Sequence, residues 1–125
     1  MRKQYHFWPG AAGLDAWDVD RLIALAAELP VIDVELSAIA EIDSVYWFDE
    51  THRPTVRNVV AHARLIAAAD LRWPILLGHD NRVMDGMHRI SRAMLEGQRV
   101  IRARKFAEPV PPDFSNCRPD QVPYD

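Results

Sequence analysis

The chain has 125 residues with 18 acidic and 15 basic side chains, a formal net charge of −3 and a 49% hydrophobic composition. This fits a single compact domain with a real core and argues against a protein whose main task is coating nucleic acid. The one cysteine, Cys117, excludes an intrachain disulfide and a cysteine-based metal cage, and no apolar run reaches membrane-spanning or secretory-signal form, so a cytoplasmic setting without a membrane is expected.

In chain order, residues 1–13 read as an irregular arm carrying Pro9, Gly10 and Gly13. Asp15 or Asp18 can cap a helix running to about Leu29, with Leu22, Ile23, Leu25, Ala26 and Leu29 as its apolar face and Pro30 as its stop. Together these make an N-terminal arm and helix over 1–29. The run Val31–Leu36 alternates apolar and acidic residues, as a half-buried strand does. Residues 37–42 suit one helical turn, and Val45–Phe48 suits either a short strand or an aromatic loop packed on the core.

A long helix is predicted from Pro54 at its first position to about Asp70, with Val56, Val59, Val60, Ala63, Ile66 and Ala67 as its core-facing stripe. The apolar run after Trp73 reads as a strand and Gly78–Arg82 as a turn. His79, Asp80 and Asn81 are metal-ligand types, yet turn chemistry accounts for them better, and no metal site is expected. Val83–Met84 makes a short return strand, followed by a helix from Gly86 to Gly97 with Met87, Ile90, Ala93 and Met94 inward. A last strand covers Arg99–Phe106, which closes a core over 30–106. Residues 107–125 form a proline-rich tail.

The stretch Asp85-Gly86-Met87-His88-Arg89 carries the strongest chemical signal. A glycine at a helix start lets an anion approach closely, and the free N–H groups and helix dipole of the first turn favour negative charge. Asp85 is placed to cap. Gly86, Met87 and His88 would offer backbone N–H groups, and His88 with Arg89 and Arg92 would contact phosphate oxygens. Charge is unevenly spread: acids dominate residues 1–50, whereas Arg82, Arg89, Arg92, Arg99, Arg102, Arg104 and Lys105 make a basic segment. The two halves can pair with each other, or the basic one can attract an anion.

The strand, the polar turn and the box from Val83 through Gly97, with the upstream Val31–Leu36 and Ser37–Ile42, resemble the ParB/sulfiredoxin superfamily over residues 30–106. The resemblance implies an α+β fold, a small mixed sheet flanked by three or more helices, and a nucleotide-phosphate site at Gly86, His88 and Arg89. It also implies phosphotransfer or nucleotide hydrolysis as the enzymatic option, with Mg²⁺ arriving with the nucleotide. Met87 stands where sulfiredoxins place their catalytic cysteine, which excludes that reaction. The proline-rich tail occupies the place of the helix-turn-helix domain of partitioning proteins, so DNA recognition is not expected.

The acid or base of a phosphotransferase would come from His88, Asp85, Glu41 or Asp43, with Glu35 a further carboxylate near the opening strand. Trp47, Arg57 and His62 are candidates for the pocket wall, Trp47 by stacking on a base. A non-catalytic module that docks a protein partner through the basic helix face or tail is the alternative, and nucleic-acid binding or nuclease activity a second one.

Overall fold

The computed structural model describes residues 3–124. It is an α+β fold with three helices and two sheets. β1 (Tyr5–Pro9), β2 (Leu14–Asp18) and β7 (Phe114–Cys117) form an antiparallel sheet in the order β1-β2-β7. β3 (Ile32–Glu35), β4 (Ile75–Leu77), β5 (Val83–Asp85) and β6 (Val100–Lys105) form a mixed sheet ordered β3-β6-β4-β5, in which only β4 and β6 run parallel. The helices are α1 (Val19–Ala26), α2 (Val56–Ala68) and α3 (Met87–Leu95).

The expected irregular arm is therefore a β-hairpin. Tyr5-His-Phe-Trp supplies β-favouring side chains, and Gly10 N–H donates to the Gly13 carbonyl at 2.7 Å to close the turn. The tail adds β7 beside β2, and Tyr5 Oη donates to the Pro123 carbonyl, so both ends of the chain are stitched together. Neither link is local.

Asp18 caps α1, accepting from Asp20 N at 2.9 Å and Arg21 N at 3.4 Å. The helix stops at Ala26, short of Leu29, and its buried face is Val19, Leu22 and Ala26; Ile23 and Leu25 point to solvent. After β3 the predicted helical turn is two 3-10 turns, Leu36–Ala38 and Ala40–Asp43. Residues 45–48 form a loop whose Tyr46 and Trp47 pack against the core.

Alternation along β4 sends Ile75 and Leu77 to one face and Leu76 to the other. The first face joins Ile90 and Ala93 of α3 and Ile101 and Ala103 of β6 in the main core. The second meets Trp17, Leu22 and Ala26. Gly78–Arg82 is a tight turn, with Gly78 N–H bonded to the Arg82 carbonyl at 2.8 Å and Asn81 at φ 68°. At the far end of α3, Gly97 has φ 72°, and Gln98 N–H and Gly97 N–H donate to the carbonyls of Ala93 and Met94. That is a Schellman stop. Met94 is exposed rather than inward.

α2 departs most from expectation. Thr55 caps it, with Pro54 before the cap rather than in the first turn. Its half-buried positions are Asn58, His62 and Ile66, which lie toward α3, while Val56, Val59, Val60, Ala63 and Ala67 face outward. The predicted core stripe is, Ile66 apart, a solvent-facing stripe. Among the described residues no helix is long and apolar enough to cross a membrane.

Candidate functional site

β5 passes into α3 through Gly86, whose φ of 113° is open to glycine and strained for other residues. Space demands glycine as well, since a Cβ there would lie 2.6 Å from Ile75 Cγ2. Gly86, not Asp85, is the N-cap of α3, and no side chain caps it. The strand carries Asp85 one residue too far back, and its carboxylate turns instead to Arg89, four residues on, at 2.7 Å. The first turn of α3 thus keeps its N–H groups free of side-chain partners.

Both arginines expected to hold phosphate are occupied. Arg89 Nη1 donates to the Trp73 carbonyl at 3.0 Å and the Pro74 carbonyl at 2.7 Å, while Nη2 holds Asp85. Arg92 Nη1 donates to the Ala67 and Ala69 carbonyls at 2.6 and 2.9 Å, satisfying the C-terminal end of α2. Arg89 fastens the segment before β4 to α3, and Arg92 fastens α2 to α3. With those donors engaged, a phosphate would have to displace bonds that hold the fold together.

The start of α3 opens on a cleft of about 470 Å³, bounded by Tyr5 and His6 of β1, Tyr46 and Trp47 of the aromatic loop, and Gly86 and His88. A lobe of about 230 Å³ continues past Leu65 and Trp73. His88 Nε2 and His62 Nδ1 lie 2.9 Å apart in a hydrogen bond, with either ring able to donate. Trp47 stacks on both, its ring centroid 4.4 Å from His62 and 4.7 Å from His88, at interplanar angles of 18° and 12°. α2 supplies His62 and α3 supplies His88, so the α2–α3 packing assembles the pair.

Burial holds both imidazoles below the usual histidine range, and for His88 the neighbouring His62 charge adds to it. At neutral pH the pair is uncharged, one ring donating and the other accepting. The Tyr46 phenol is pushed up to about 12, first by burial and then by the charges of Glu41 and Asp85, so it remains a proton donor. His6 is lowered to about 4 by burial and by Arg82.

Of the carboxylates expected to serve as base, only Asp85 reaches the cleft. Glu41 Oε1 accepts from Val83 N at 2.6 Å, tying the second 3-10 turn to β5; its Oε2 is buried without a hydrogen-bond partner, and burial raises its pKa. Asp43 and Glu35 are exposed, and Arg57 is exposed on the outer side of α2. Asp85 borders the cleft, but Arg89 holds its Oδ2. The structure gathers Trp47, His62, Asp85, Gly86, Met87 and His88, and leaves out Glu41, Asp43, Arg57 and Arg92.

Tyr5 and His6 were not expected at the site, whereas Tyr46 enters it as a neighbour of Trp47 in the aromatic loop. The run of β-favouring aromatic residues in Tyr5–Trp8 was the available signal for a strand, but nothing in it tells which cleft the strand borders. No protein-family model matches the chain, nor does any curated protein or solved structure.

Proposed function

We propose that the cleft at the start of α3 binds a phosphate-bearing small molecule of the nucleotide class, in a domain of ParB/sulfiredoxin-like type. One observation carries the reading. The first turn of α3 has no side-chain cap, at a glycine that leaves its N–H groups open beside a 470 Å³ cleft. A phosphate there would accept from the backbone N–H groups of Met87 and His88, with the His88 imidazole as a further donor. The aromatic wall of Tyr5, Tyr46 and Trp47 suits a base or another flat ring.

The donors favour binding over catalysis. A phosphotransferase or hydrolase needs a carboxylate free to orient the nucleophile; Glu41 is spent on Val83 and Asp85 on Arg89. The residues present do not fit a protein-held Mg²⁺ either, because Asp70, in the smaller lobe, is paired with Arg72 at 2.7 Å. Any Mg²⁺ would be bound by the nucleotide's own phosphates.

Calorimetric titration of ADP, ATP and CTP, with and without Mg²⁺, tests the reading. Saturable binding is expected for at least one, weakened about tenfold by His88→Gln through loss of one hydrogen bond to a charged group. Absence of binding, or binding indifferent to His88→Gln, would overturn it.

A further inference from the structure

The outward stripe of α2 has a regular form. Val56, Val60, Ala63 and Ala67 recur at spacings of four, three and four, the a/d seam of a heptad pattern, while Asn58, His62 and Leu65 sit toward the opposite side. Val56 is 83% exposed and Val60 42% exposed, so the seam lies open along a 13-residue helix roughly 20 Å long. Arg57 and Arg64 flank it one heptad apart on the same edge, in e positions. Among the described residues their guanidinium groups make neither an ion pair nor a hydrogen bond, and residues 51–69 contain no acid. Arg89, Arg92 and Arg104, by contrast, are spent on backbone carbonyls.

We infer that this seam docks an acidic amphipathic helix of a partner protein, with Val56, Val60, Ala63 and Ala67 in the contact and carboxylates opposite Arg57 and Arg64. Small seam residues let a second helix approach closely, and e-position charges select the partner by sign. A second copy of this chain fits poorly. Antiparallel pairing of two α2 helices brings Arg57 and Arg64 of the two copies together, and parallel pairing sets them against Val59 and Ile66. A lipid surface fits poorly too, because the seam holds only valine and alanine and lacks the Trp, Phe and Leu that anchor interfacial helices. The surface lies outside the cleft and does not depend on its ligand.

Two labelled synthetic helices of three heptads test the inference by fluorescence anisotropy. Both carry leucine at a and d; one has glutamate at e and g, the other lysine. The glutamate peptide is expected to bind about tenfold or more tighter than the lysine peptide. Arg57→Glu/Arg64→Glu should reverse the order, and Val60→Asp should abolish both. All three positions are exposed, and unchanged circular dichroism and melting confirm that each variant folds. Equal affinity for the two peptides, binding of neither, or an order untouched by the charge reversal overturns the inference. So does binding to phosphatidylglycerol vesicles with no peptide binding, or a dimer in sedimentation that Val60→Asp dissolves.

Discussion

Replacing Gly86 with alanine adds one carbon where β5 turns into α3, and the structure supplies a matched control. Gly86 and Gly97 both have positive φ, 113° and 72°, so each alanine variant incurs the left-handed backbone penalty of roughly 1–2 kcal/mol. The surroundings differ. At Gly97 a Cβ meets nothing within 4 Å, whereas at Gly86 it lies 2.6 Å from Cγ2 and 3.0 Å from Cβ of Ile75, a fully buried residue of the main core. Overpacking of that kind costs about 1–3 kcal/mol. Gly86→Ala should therefore lose roughly 2–5 kcal/mol and Gly97→Ala roughly 1–2 kcal/mol, judged from these two terms. Urea unfolding followed by tryptophan fluorescence, extrapolated linearly to water, measures both. Equal losses would show that Ile75 yields freely and that only the backbone requires glycine at position 86.

Acid should destabilise the fold through its half-buried imidazoles. The folded-state pKa of His6 is about 4 against 6.5 for a free histidine, so the unfolded chain takes up the proton first. Its contribution is complete above pH 6.5 and is lost as pH falls toward 4, amounting to about 3 kcal/mol. His62 and His88 are shifted in the same direction. Urea midpoints at pH 7.5, 6 and 4.5 should fall in order, and His6→Gln should flatten the slope; an unchanged slope rules out His6 as its source. Glu41 has the opposite sign. Its raised pKa means that the protonated form favours the fold, an advantage complete below about pH 4.5 and lost as pH rises through the folded-state value. Glu41→Gln keeps an acceptor for Val83 N without the buried charge, so thermal melting should show greater stability at pH 7 and little change at pH 4. A loss at pH 7 would mean that the charge itself is needed.

Local chemistry made several elements readable. Gly86 and Gly97 bracket α3, whose Ile90 and Ala93 recur at helical spacing, and Asp18 caps α1 from within its own sequence. The turn at Gly78–Arg82 follows from its glycine, aspartate and asparagine. Such features depend on neighbours a few residues apart, and the helix start at Gly86 was visible for that reason.

What the residues alone determined was therefore a set of elements and one helix start at a glycine, whose lack of a side-chain cap only the structure showed. Tertiary packing decided the rest. Periodicity in α2 records which side chains share a face, not which face is covered; docking on α3 through Asn58, His62 and Ile66 turned the valine stripe outward. Arg89 and Arg92 carry the same donors wherever they sit, and the carbonyls of Trp73, Pro74, Ala67 and Ala69 became their partners only when distant segments converged. The stacking of Trp47 on His62 and His88 likewise needs a loop and two helices in one place. A hydrogen-bonding or aromatic side chain states what it can do, and the folded chain selects which of its possible partners lies within reach.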